Sequence, residues 1–274
     1  MELEHLALAA LGLLTAGIGA LGGLGGAVIL VPVLVLTGTP IAEAAPLGLI
    51  SVAAGSLAAG ALQLREGTVN HRLGVTTETA ATCGALTGAL LSGVVGEALL
   101  QWVLGVVAIA TAFVGGRRKG MRNRPDPTLG PDDLGERPGT LAGAYPLHAD
   151  VVPYRADRLG AGLGLMGVAG LVAGLAGTSG GFLKTPAMSE VMRVPVKVAA
   201  ATTTFTIGIT SAAALVVLAV QGRISPEPAA AVALGSLVGA QLGALLQGRV
   251  SPPLVRRILS AVLVLVGLVL LVTA

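Results

Sequence analysis

A chain of 274 residues that is 54% hydrophobic and 11% charged, with a mean hydropathy of +0.87, carries too much apolar surface for a water-soluble domain. Its formal charge of +3 accompanies one tryptophan and 2% aromatic residues, so the stacking side chains of a nucleic-acid reader are missing and no nucleic-acid partner is expected. Cys83 is the only cysteine, which excludes intrachain disulfides and Cys-based metal clusters; no metal and no cofactor is expected.

Apolar stretches of roughly 20 residues suffice to cross a bilayer as helices. In chain order they run over about residues 6–36, 42–63, 73–95, 97–115, 159–188, 198–221, 228–248 and 253–273. None alternates with period two, as barrel strands do. The fold class is therefore all-α: a polytopic helical protein, multi-pass in the cell (inner) membrane, with the lipid bilayer as its main partner. No signal peptide is expected, because the residues before the first apolar stretch are acidic and that stretch matches one in the second half.

The eight stretches are two copies of four. Gly19, Gly22, Gly25 and Gly26 return as Gly174, Gly177, Gly180 and Gly181, at a constant offset of 155 residues. Pro40 pairs with Pro195, Gly67 with Gly222, and GALTGALLSGVV from Gly84 with GAQLGALLQGRV from Gly239. Duplicated apolar halves are typical of secondary transporters. Residues 1–115 read as an N-terminal membrane repeat, 116–158 as a polar linker and 159–274 as a C-terminal membrane repeat. The linker segment PDPTLGPDDLGERPG is too rich in Pro, Gly and charge for a packed core and reads as a plain tether.

Most of the 41 glycines read as helix-packing positions, among them Gly84, Gly88, Gly239 and Gly243. The clusters around Gly25 and Gly180 differ in being dense and followed by proline, which interrupts helices. Basic residues in short loops favour the cytoplasmic side. Eight simple crossings put Arg65, Arg72 and the run Arg117, Arg118, Lys119, Arg122 and Arg124 opposite Arg193, Lys197, Arg249, Arg256 and Arg257. If the first stretch of each half is instead a re-entrant hairpin of two short helices, each half crosses three times and the repeats are inverted. All those residues then share the cytoplasmic side with the linker, leaving Arg223 opposite.

Two Gly-rich tips entering from opposite faces bring Gly25, Gly26, Gly180 and Gly181 near the midplane. Helix starts there present free N–H groups and a partial positive charge, and glycine lets a small oxyanion reach the backbone. Thr178 and Ser179 add hydroxyls, and Thr203, in the run Thr202, Thr203, Thr204 and Thr206, is a further candidate ligand. Lys184 stands where the first repeat has Ile29. A central membrane lysine costs about 2.5–3.5 kcal/mol to insert, so it reads as a substrate-binding residue, against the alternatives of snorkelling or pairing with Glu190. Glu78, beside Thr76 and Thr77, reads as a proton relay or an interfacial carboxylate.

These residues carry a resemblance. GALGGLGGAVILVPVLVLTGTPIAEAAPLGLISVAAGSLAAGALQLREGTVNHRLG resembles the first half of the sulfite exporter TauE/SafE family, and GLAGTSGGFLKTPAMSEVMRVPVKVAAATTTFTIGITSAAALVVLAVQGRIS its second-half copy. Pro46 and GTSGG depart from the family pattern. The resemblance implies a bacterial inner-membrane permease for sulfite, organosulfonates or related sulfur anions, and not an enzyme: no catalytic residue is assigned. The expected mechanism is alternating access by rocking one half against the other. Two other readings stay open. One is an anion channel on the same cavity. The other is a rhomboid-like intramembrane protease with Ser179 of GTSG as nucleophile, for which only Lys184 could serve as base, since His5, His71 and His148 precede it at span edges or in the linker. A homo-oligomer is compatible with the sequence.

Overall fold

The computed structural model describes residues 2–22, 25–116, 124–129, 134–147, 150–246 and 252–274. Gly23, Leu24, Arg117, Arg118, Lys119, Arg122, His148 and Arg249 lie outside these residues, as do the side chains of Arg256 and Arg257. The described chain is mostly helical, in the order α1 (Glu2–Gly22), α2 (Ala27–Leu36), α3 (Ile41–Arg65), α4 (His71–Ser92), α5 (Glu97–Gly116), β1 (Gly135–Glu136), β2 (Ala142–Leu147), β3 (Asp150–Arg155), α6 (Leu159–Ala176), α7 (Gly181–Pro186), a π-helical turn (Ala187–Val191), α8 (Val196–Val220), α9 (Pro226–Leu246) and α10 (Pro252–Thr273). Five helices, α1, α3, α6, α8 and α9, have described stretches long and apolar enough to cross a membrane.

Local chemistry sets the helix ends. The side chain of Asn70 caps α4, its Oδ1 accepting from the Leu73 N–H at 2.8 Å. Helices α3 and α8 each contain 25 residues and each follow a proline, Pro40 and Pro195. Inside α3, Pro46 has no N–H to offer the carbonyl of Ala42 four residues earlier. The Arg223 guanidinium serves that carbonyl instead, at 3.1 and 3.3 Å, and also donates to Ser92 at 2.8 Å. After Pro186 the chain widens into the π-turn, which closes with the Met192 N–H on the Ala187 carbonyl at 3.0 Å.

The first and third long helices of opposite halves pack together. Helix α1 lies along α9, Gly12 facing Val232 and Ser236, and Gly17 facing Gly239, so the two run parallel. In the same way α4 lies parallel to α6, Ala81 against Gly170 and Ala85 against Gly174. At Gly84, Gly88, Gly170, Gly174, Gly235, Gly239 and Gly243 a Cβ would strike a backbone carbonyl of the neighbouring helix, so these seams are as tight as backbone allows. Helices α3 and α8 cross antiparallel, with Gly60 near Phe205 and the Ser56 hydroxyl donating to the Thr204 carbonyl at 2.7 Å. Helices α5 and α10 are also antiparallel: Gln101 reaches the Leu270 carbonyl, and Ser260 reaches that of Ala112.

Two expectations need correction. The opening segments are not pairs of short helices, because α1 has 21 residues and α6 has 18, each followed by a short return, α2 and α7. Nor is the 116–158 segment a plain tether. Strands β1, β2 and β3 form an antiparallel sheet, with Ala142 opposite Arg155 and Leu147 opposite Asp150. Tyr145 and Tyr154 pack edge to face at 6.4 Å and join a buried cluster with Met166 of α6, Met188 of the π-turn, and Met192 and Val194 of the connection to α8. That apolar contact is what the Pro-rich and charged residues before it could not supply. Polar ties hold the sheet down: Asn70 Nδ2 donates to the Tyr154 hydroxyl at 2.9 Å, Glu136 accepts from the backbone of His71 and Arg72, and Asp157 pairs with Arg124 at 2.9 Å. Burial pushes the Tyr154 phenol up to about 12.

Candidate functional site

The helices stop at glycines that adopt backbone shapes other residues avoid. Gly25, between α1 and α2, has φ +82°, and Gly177, which ends α6, has φ +67°. The two stops meet: a side chain on Gly25 would run into Ser179. Gly26 lies against Ala16, so the chain doubles back along α1. Beyond α7, Met192 lies against Gly162 near the start of α6, so the second segment doubles back too.

Where the stops meet, a narrow cavity of about 30 Å³ is lined by Gly25, Gly26, Gly181, Thr203, Ser51 and Ser56, among others. Four of the residues singled out from sequence therefore share one chamber, and it holds about one or two waters. Ser179 is fully buried and its Oγ accepts the Gly181 N–H at 3.2 Å. Thr178 and Gly180 are buried beside it. The Thr178 and Thr185 hydroxyls are buried without a partner among the described residues, an uncommon condition for a native interior. Thr203 contributes a buried hydroxyl 3.7 Å from the Met188 sulfur.

Lys184 does not line this cavity. Its side chain is fully buried and so does not snorkel; Nζ donates to both oxygens of Glu78, at 2.9 and 3.1 Å, and to Thr210. Thr210 in turn donates to Glu78. Glu78 is thus not interfacial: 106 residues from Lys184 in sequence, it is 4% exposed and closes a three-membered polar cluster between α4, α7 and α8. A buried pair of this kind resists loss of one partner far more than replacement of both. Thr210 went unread in the sequence, although Thr202, Thr206 and Thr210 recur every four residues and so fall on one helix face. The stripe faces α4 throughout, Thr202 Oγ1 accepting the Asn70 N–H at 3.0 Å and Thr206 touching Gly74. Ser51, bonded to Ser236 at 2.7 Å, and Ser56 were also missed, because lone serines in membrane helices carry no pattern.

The protease constellation does not assemble among the described residues. His5 lies on Glu227, His71 on Glu136, and the Lys184 ammonium on Glu78, so Ser179 has no base at hand.

A bundle of membrane-crossing helices, interrupted at two buried Gly-rich stops around a small chamber lined mainly by glycine and alanine with a few hydroxyls, defines a polytopic membrane protein. The chain belongs to the family described as sulfite exporter TauE/SafE, which it matches over residues 8–270. It is 26% identical over 278 aligned residues to the probable membrane transporter protein YunE of Bacillus subtilis (strain 168), covering 95% of this chain and 94% of that protein. No solved structure matches it. The protein is accordingly a multi-pass membrane transporter.

Proposed function

We propose that the protein exports a small sulfur-containing anion, sulfite or an organosulfonate, by alternating access, with the substrate held between the two Gly-rich stops. The observation carrying this reading is the shared chamber of Gly25, Gly26, Gly181 and Thr203. Backbone N–H groups and hydroxyls suit an oxyanion. At about 30 Å³ the chamber is too small for sulfite's four heavy atoms, so it must widen to load. Expulsion of an anion from a negative-inside cell is favourable by about 2.3 kcal/mol per charge per 100 mV. Glu78 is the proton relay of this scheme, exchanging Lys184 for a proton as the chamber opens.

Inverted repeats are supported by the antiparallel crossings of α3 with α8 and of α5 with α10, since these are counterparts under the 155-residue offset. The cytoplasmic linker is supported by Arg72 and Arg193 lying at its end of the bundle, while Arg223 sits at the other beside Ala42 and Ser92. The packing revises which parts rock. With α1 seamed to α9 and α4 to α6, the moving units are the mixed bundles α1–α3–α9 and α4–α6–α8, not the sequence halves, and the α3–α8 crossing is the surface between them.

The test is uptake of labelled sulfite by purified protein in liposomes, with sulfite, thiosulfate, organosulfonates, sulfate or chloride inside. Saturable uptake stimulated by internal sulfur anions, and lost in Gly181→Leu, is the expected result. Normal flux in that variant sinks the midplane site; flux that does not saturate and shows no stimulation favours a channel.

A further inference from the structure

Between the linker sheet and the starts of α4 and α6 lies a second cavity, of about 860 Å³, within the range of small-molecule sites. Three guanidinium groups line it: Arg72 at the start of α4, Arg137 after β1 and Arg155 at the end of β3. Among the described residues, the single carboxylate in the lining, Asp126, is already engaged, accepting the N–H and hydroxyl of Thr128 at 2.9 and 2.6 Å. Those bonds, with Arg137 and Arg155 nearby, hold it below the usual carboxylate range. Arg137 donates to the same Thr128 hydroxyl. Among the described residues, no side-chain hydrogen bond is made by Arg72 or Arg155, so two forked donors line the cavity, Arg155 near enough to Asp126 to act on it electrostatically. Val75, Leu141 and Leu159 give the same cavity an apolar wall.

We propose that this cavity binds an organic oxyanion, a sulfonate or phosphate group on an apolar body, at a site separate from the midplane chamber. Among the described residues the positive excess over Asp126 favours an anion, the guanidinium forks can bond paired oxygens of a sulfonate or phosphate bidentately, and the apolar wall favours an organic body over a bare ion. Linker and membrane helix contribute to it jointly, so the ligand spans the joint where Glu136 meets the first turn of α4. The site stands whether or not the midplane chamber carries an anion. The same chemistry is available from a soluble organic anion or from an anionic phospholipid headgroup at the membrane edge.

Titration calorimetry on the full chain in uncharged detergent, at low ionic strength, tests this with benzenesulfonate and phenyl phosphate, and with uncharged benzenesulfonamide as control. Saturable binding of both anions but not the sulfonamide is expected, about tenfold weaker in Arg72→Gln and in Arg155→Gln. Both arginine sites are at the surface end of the fold, and matching thermal transitions confirm that the variants are folded. Native affinity in both arginine variants, or no binding of either anion, overturns the proposal. Nanodiscs identify the source: benzenesulfonate binding that persists in phosphatidylglycerol discs assigns a soluble ligand, and binding seen only in phosphatidylcholine discs assigns the headgroup.

Discussion

Both Gly-rich stops turn through a left-handed glycine, at the non-equivalent positions Gly25 and Gly177, and they differ in charge. In the first, the residue after the stop that corresponds to Lys184 is Ile29, and the position on α9 that corresponds to Glu78 is Ala233. The first stop is held by apolar contact, Ile29 packing with Val107, Phe182 and Leu263. The second is held by the Lys184, Glu78 and Thr210 cluster. The second stop thus carries a charged lock that the first lacks. What the lock adds can be separated from what the backbone provides.

The largest effect is expected from breaking the lock on one side. Lys184→Met leaves the Glu78 carboxylate buried without its partner and should cost about 3–5 kcal/mol, whereas Lys184→Met with Glu78→Leu should recover most of that stability and still fail to transport. Thermal unfolding of the purified variants, read beside liposome flux, distinguishes the two; a double variant no more stable than the single one removes the electrostatic account. Installing the lock at the other stop is the converse. Ile29→Lys should destabilise by about 2.5–3.5 kcal/mol, and adding Ala233→Glu should restore part of it if the repeats are related by inversion. Absence of any rescue would count against the equivalence of the two stops. A smaller loss, about 1–2 kcal/mol, is expected from Arg223→Ala, which leaves the Ala42 carbonyl beside Pro46 unserved. Smallest is Asn70→Ala, about 1 kcal/mol from the lost cap of α4, accompanied by faster proteolysis at the sheet, since Tyr154 loses its donor.

The membrane character and helical class were legible because long apolar runs admit little else. Lys184 and Glu78 were each conspicuous as charges in apolar surroundings, but their pairing was not, because 106 residues separate them and they meet through the packing of α4 and α7 against α6 and α8. The threonine stripe on α8 was read as far as Thr206 and stopped one turn short of Thr210, the member that touches the lock. The sheet was hidden for a different reason: the Pro and acidic content of PDPTLGPDDLGERPG drew attention from AGAYPL and DVVPYR, whose tyrosines have the β-propensity and apolar area to dock.

The seam between α1 and α9 also bears on how the protein is made. When α1 leaves the ribosome its partner is some 200 residues from being synthesised, and α4 must likewise wait for α6. Each early helix therefore enters lipid with a glycine groove open and only later finds the surface cut to fit it. The first half expressed by itself should insert yet stay susceptible to membrane quality-control proteases, and co-expression of the second half should protect it.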